Sequence, residues 1–458
     1  MAQPEQLVDS ALGALGYRPQ FKRVLSRGDL VLYGLVILTP TAPYPVFGIV
    51  QQTSNGHASL SYFCAMVGML FTAASYGKMS GAFPAAGSTY TYAQRSLNDH
   101  LGFLAGWAMI LDYILIPLLS VVYVSLTAAR LLPAVPYFVW VLLFTALITS
   151  VNLRGIRMTA RASQVMMAVM SLSTVLFLGL SVRFVVGRDG FTGLWSPAAF
   201  FDPRSFELAR LLLGAGIATL SYIGFDAIST LAEDTRCPER DIAFATVTVC
   251  VIQTVFCLAT VYLAALVWPD YRSYPQADTA ILDIGGRIGG PWMFGWITFV
   301  LLVAGLASSL TGQAGASRLL FGMGRDGLLP RRVFGYIDPR SSTPTRIIYV
   351  MAAATVAGAA VAGFQLVVEL LNFGAFAGFL LVNLSVIRHY YFRLRRRRGW
   401  DFLTNLVFPG LGFLVCALVW LNLTASAKLA GFVWLGIGAV YLAIITRGFR
   451  IRPKPLGL

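Results

Sequence analysis

Apolar runs of about twenty residues, separated by short charged or polar stretches, recur along the chain and begin near Leu30, Ala58, Leu101, Val135, Ser163, Ala209, Ile242, Trp292, Ile347, Val368, Val407 and Leu429. About twenty apolar residues in a helix cross the ~30 Å hydrocarbon layer of a bilayer, so the pattern predicts an all-α membrane protein with twelve transmembrane helices. Two runs are interrupted near their middles. In the first, Thr39-Pro40-Thr41-Ala42-Pro43-Tyr44-Pro45 follows an apolar stretch, and its three prolines remove backbone donors and forbid a regular helix. In the sixth, the interruption is Ser221-Tyr222-Ile223-Gly224-Phe225-Asp226. Broken backbone at membrane depth persists only where protein or an aqueous cavity satisfies it, and paired breaks in two halves point to a midplane binding site. The breaks lie five spans apart, which predicts an inverted five-plus-five repeat over residues 28–390, with halves at 28–187 and 205–390. Residues 1–27 read as a cytoplasmic arm, 391–406 as a basic cytoplasmic loop, 407–448 as helices eleven and twelve, and 449–458 as a tail. The competing reading is two ordinary proline or glycine kinks.

Composition agrees with lipid as the main solvent: 57% of the 458 residues are apolar and only 12% charged. The net charge of +15 raises the question of nucleic acid, and the distribution of the charge answers it. With the N-terminus inside, 27 of the 35 Lys and Arg fall in the arm, the cytoplasmic connections and the tail, as the positive-inside rule requires. Even the Arg393 to Arg398 run reads as a topology anchor, and both termini are expected to be cytoplasmic. Five scattered cysteines suggest neither disulfides nor a metal site.

Ionisable residues inside spans are candidates for function. Asp112 lies about 17 Å into the third span, near the bilayer centre, where its carboxylate can pair with a substrate ammonium or make a helix-packing hydrogen bond. Tyr113 offers a cation–π face or core packing. Asp226 closes the sixth-span break, where it can couple to protons or cap freed amides, and Tyr222 and Phe225 read as site aromatics or packing. Glu369 falls near the outer end of the tenth span. Gly322, Gly324 and Gly327 match GxGxxG but follow a membrane span instead of a strand, so no dinucleotide site is expected. The three histidines sit near span ends, and no catalytic motif appears, leaving an Asp112–Asp226 aspartyl pair as the one enzymatic alternative.

Three stretches carry a resemblance: Tyr33 to Pro43, Ser221-Tyr-Ile-Gly-Phe-Asp-Ala-Ile-Ser-Thr-Leu-Ala-Glu-Asp234, and Ser317-Arg-Leu-Leu-Phe-Gly-Met-Gly-Arg-Asp-Gly-Leu-Leu-Pro330. Together they resemble the amino acid-polyamine-organocation family. The proline-bearing first span and Gly106-Trp-Ala-Met-Ile-Leu-Asp-Tyr113 are most similar to its bacterial putrescine-importer-like branch. The resemblance implies a leucine-transporter-type fold working by alternating access in the bacterial inner membrane. It also implies proton sensing at Asp226, and a sodium site near Ser308 and Ser309 in cousins of the same fold, where plain packing is the competing reading. Some relatives hold a lysine where Met170 stands. The family usually cradles a substrate carboxylate on backbone amides of the first break, and Pro40 and Pro43 weaken such a cradle here. The expectation is a proton-driven importer of a polyamine-like amine, with no cofactor. The substrate is expected to be lined by Pro40, Thr41, Ala42, Pro43, Tyr44, Asp112, Tyr113, Ser221, Tyr222, Ile223, Gly224 and Phe225. An amino acid importer or exchanger and a non-transporting amine sensor remain as alternatives, and the oligomeric state is left open.

Overall fold

The computed structural model describes residues 23–361, 364–448 and 450. Most of the predicted arm and tail, and the side chain of Glu369, lie outside the described residues. Among the described residues the chain is helical, and pairing of extended backbone is confined to isolated bridges, one of them Leu25 with Thr235. The helices are α1 (Arg27–Leu38), α2 (Phe47–Thr53), α3 (Ala58–Ala82), α4 (Ser88–Ser96), α5 (Asp99–Leu131), α6 (Tyr137–Leu153) and α7 (Ile156–Asp189). They continue as α8 (Leu208–Ala218), α9 (Ala227–Thr230), α10 (Pro238–Val267), α11 (Ala280–Arg325), α12 (Thr345–Val361), α13 (Phe364–Val386), α14 (Phe408–Leu421) and α15 (Ala425–Ile445).

Nine helical segments among the described residues are long and apolar enough to cross a membrane, with α6 and α12 as shorter apolar helices. Two features were not legible in the hydropathy pattern. A polar helix, α4, sits between the second and third predicted spans. The eighth span, predicted from Trp292, is preceded without a loop by another helical stretch: α11 starts at Ala280 and is interrupted at Gly290 (φ 70°) before Pro291. Proline at a first helical position suits a new helix start, so a surface helix runs directly into the span.

Packing pairs α3 with α10, α5 with α11 and α6 with α12, while α1 lies against α7, α10 and α11. The close approach of α1 depends on Gly34, where a Cβ would meet Ile228 Cδ1 at 2.5 Å. The main core that results is rich in fully buried tyrosine and phenylalanine, including Tyr62, Tyr76, Tyr113, Tyr222 and Phe225, and smaller clusters around Leu118 and Val124 of α5 lie beside it. Large apolar side chains such as Leu414, Leu429, Val433 and Val440 of α14 and α15 are instead exposed around the outside, the arrangement expected where the surrounding solvent is hydrocarbon.

Candidate functional site

The first break follows from its prolines. A capping box between Ser26 and Asp29 starts α1. Pro40 then pushes the preceding residue out of helical conformation, and Thr39 adopts φ 58°, ψ 125°. The chain passes through turns closed by Ala42 N–H to Thr39 O (3.0 Å) and Tyr44 N–H to Thr41 O (3.0 Å) before α2 begins. The second break is built differently. α8 tightens into a 3-10 turn over Thr219–Tyr222, Ile223 is extended, and Gly224 at φ 115° leads the chain into α9. Ile37, from the end of α1, lies 3.2 Å from where a Gly224 Cβ would be.

Between the breaks and one face of the bundle lies a cavity of about 1680 Å³. Its deep wall is formed by Ile37, Thr39, Ile116, Ile223 and Ser308, and its mouth by Gln276, Asp278, Asp283, Asn372 and Asn422. Among the described residues, Asp278 and Asp283 are the only charged residues in the lining, with no Lys, Arg or His beside them there.

The predicted site residues divide into three groups. Ala42, Tyr44, Ile223 and Ser308 line the cavity. Pro40, Thr41 and Pro43 are buried and absent from the lining, and Ser221, Tyr222 and Phe225 turn into packing. Ser221 Oγ meets the Tyr62 hydroxyl at 3.2 Å, Tyr222 donates to Thr254 at 3.3 Å, and Phe225 packs on Tyr76 and Phe379. Ser308 donates to Ile37 O (3.4 Å) and Ser309 to Pro117 O (3.2 Å).

The third group is Asp112, Tyr113 and Asp226. They converge in the core, fully buried and absent from the lining. The Tyr113 hydroxyl donates to Asp226 Oδ2 at 2.5 Å, while Asp226 Oδ1 and both oxygens of Asp112 have no hydrogen-bond partner. Carboxyl groups enclosed in this way cannot both carry charge cheaply, so proton occupancy is the chemistry the arrangement offers.

The opposite face is sealed by groups that hydropathy did not single out. Arg318 of α11 bonds Asp234 at 2.5 Å with both side chains 2% exposed, and Arg325 pairs with Glu233 at 2.9 Å. Glu233 also accepts from Ala86 N–H, and Tyr90 donates to Asp326 at 2.5 Å. The chain ahead of α1 lies across this seal: the amides of Val24 and Leu25 donate to Asp234 O, and Arg27 pairs with Asp241 at 2.8 Å. Burial pushes the Asp234 carboxyl above the usual carboxylate range and the Arg318 guanidinium pulls it back, so the ion pair favours the ionised carboxylate against the cost of burying it.

Sequence reasoning also missed Gln253 of α10, whose Nε2 donates to Thr39 O (2.9 Å) and Ser221 O (3.2 Å). Its signal was present as a glutamine inside the apolar run Val249-Cys-Val-Ile-Gln-Thr-Val-Phe-Cys257.

A model of the amino acid permease family matches residues 47–446. The chain is 33% identical over 443 residues to the low-affinity putrescine importer of Escherichia coli (strain K12), covering 96% of both chains. It is 25% identical over 469 residues to the branched-chain amino acid permease of Bacillus subtilis (strain 168), again covering 96% of both. The methylthioribose transporter of the same organism is 26% identical over 481 residues, covering 95% of this chain and 96% of the relative.

Proposed function

The chain belongs to the amino acid permease family and is a multi-pass membrane transporter, and on that premise we propose that it imports a small cationic amine, polyamine-like as putrescine is, by proton-driven alternating access. The observation that carries the substrate class is the charge of the cavity. On a protein of net charge +15, the described residues of the lining include two carboxylates and no base. Such a mouth concentrates cations and repels anions.

The helix ends point the same way. α1 and α8, of 12 and 11 residues, both direct their carboxyl ends at the breaks, whereas the amino ends there belong to α2 and α9, of 7 and 4 residues. The negative ends of the longer helix dipoles therefore dominate the deep wall and favour an ammonium. Pro40, Pro43 and Pro45 supply no N–H for a carboxylate.

In this reading the chain crosses the membrane twelve times with both termini cytoplasmic, the two half-helices of each broken span counting as one crossing. The pairing of α3 with α10, α5 with α11 and α6 with α12 fits two inverted repeats, each helix meeting its counterpart five spans on. The basic face is cytoplasmic by the positive-inside rule, so the cavity opens outward and the Arg318–Asp234 seal is the closed inner gate. An amine reaching Ile37, Thr39 and Ile223 draws the breaks together. The Asp112–Tyr113–Asp226 group exchanges its proton as the gates alternate.

Uptake of radiolabelled putrescine into proteoliposomes with the outer solution more acidic tests this reading. Accumulation that collapses with a protonophore and is inhibited by other diamines is expected. Accumulation of neutral branched-chain amino acids with no response to diamines would overturn the substrate class.

A further inference from the structure

We propose that Gln253 is a positioning residue that clamps the two unwound segments to each other, so that they respond to a bound substrate as one body. The proposal rests on the transport reading for its functional consequence, while the clamp itself rests on geometry alone.

Where α1 ends and α8 tightens, backbone carbonyls lose their helical partners, and a buried orphan is costly. Ser221 O is such a carbonyl, while Thr39 O, already closing a turn with Ala42 N–H, takes Gln253 on its second lone pair, so one buried amide nitrogen bridges two carbonyls more than 180 residues apart in sequence. Few side chains can do this. A primary amide carries two N–H donors in one plane without charge. Asparagine is one methylene shorter, serine and threonine carry one donor each, and lysine would bring a charge into an uncharged layer.

The position of the clamp makes it more than a filler. Thr39 and Ile223 line the deep wall of the cavity, and Gln253 holds the backbone of the first directly and of the second two residues away. Thr39 is also a non-glycine residue at φ 58°, a conformation that persists only where surrounding contacts over-determine it. Gln253 supplies one of those contacts from α10, which packs on both α1 and α3. A ligand that displaces either lining residue therefore loads the same amide, and the other break follows. The next residue, Thr254, accepts the Tyr222 hydroxyl and ties the sixth-span break to the same turn of α10. Among the described residues the Gln253 Oε1 has no partner, and beyond the two carbonyls its Nε2 meets only Cys257 Sγ of the same helix at 3.5 Å, so the residue is held through its N–H donors, and their removal releases it.

The test uses full-length protein in proteoliposomes with Gln253→Met, which is similar in length without donors, and Gln253→Glu, which has the same shape but acceptors only. Gln253→Asn is the conservative variant. Uptake kinetics are read together with hydrogen–deuterium exchange of segments 39–46 and 219–226. For Met and Glu, the expected result is a Vmax at least tenfold lower with KM changed less than threefold, and faster exchange in both segments together. Asn is expected to fall between them and the wild type. The proposal is overturned if the Met variant transports at wild-type Vmax. It is also overturned if Vmax falls only in proportion to the loss of folded protein seen in thermal unfolding, the mark of a merely structural filler. If wild-type protein accumulates no amine, the transport reading fails alone. The exchange arm still decides the clamp, which is wrong if both segments keep wild-type protection in the Met variant.

Discussion

The two faces of the bundle solve opposite problems with the same residue types. On the basic face, carboxylates are buried and matched: Asp234 to Arg318, Glu233 to Arg325 and Asp241 to Arg27. On the other, Asp278 is exposed and Asp283 partly so, they line a wide cavity, and among the described residues no base stands beside them in the lining. A buried pair stays intact because separating it would strand a charge in low dielectric. An unpaired surface carboxylate costs little and remains available to a diffusing cation. A seal and a mouth thus differ in whether each acid is given its own cation or left to find one.

The largest way to break this contrast is to unmatch the seal. Arg318→Met leaves Asp234 buried without its partner, and a loss of about 3–5 kcal/mol is expected in thermal unfolding, with most of it recovered in Arg318→Met/Asp234→Leu. A single variant that melts with the wild type would mean that the pair does not hold this face shut.

The layer between the faces is next. Tyr113→Phe removes the hydroxyl donor to the buried Asp226 carboxyl, a loss of about 1.5–3 kcal/mol, so a lower melting temperature in detergent is expected together with a roughly ten- to hundredfold fall in proton-driven uptake. Gradient-free exchange of labelled for unlabelled amine should be affected less. Equal losses in both assays would assign Tyr113 to binding and not to coupling.

Gly224→Ala sharpens the comparison at the deep wall. A Cβ at φ 115° costs about 1–2 kcal/mol and presses on Ile37, so slower transport with a modest fall in melting temperature is expected. An unaltered variant would show that the turn relaxes freely.

The smallest effect is expected at the mouth. Asp283→Asn should raise the amine KM about two- to fivefold at low ionic strength, and the difference should shrink as salt screens the field. A salt-independent KM change would place Asp283 in direct contact with substrate.

The breaks were legible in sequence because their causes are covalent. Pro40, Pro43 and Pro45 end α1 wherever it is placed, and the span pattern follows from the thickness of a bilayer. Asp112 shows where that reading stops. Its depth in the third span was readable from its position, but the sequence carries no signal for how far along that helix the cavity reaches. Asp112 and Ile116 are one turn apart on the same face of α5, and packing encloses the first in the core with Asp226 and leaves the second at the deep wall.

Sequence by itself therefore determined that the chain spans a membrane, where two of its helices must unwind and which face carries the positive charge. Each of these follows from local composition or from the chemistry of single residues. Only the tertiary structure decided which groups meet: Arg318 with Asp234 across 84 positions, and Gln253 with Thr39 across 214. Hydrophobic periodicity orients a helix toward apolar surroundings. It carries no information about which distant helix brings the partner that a buried charge or a freed carbonyl requires.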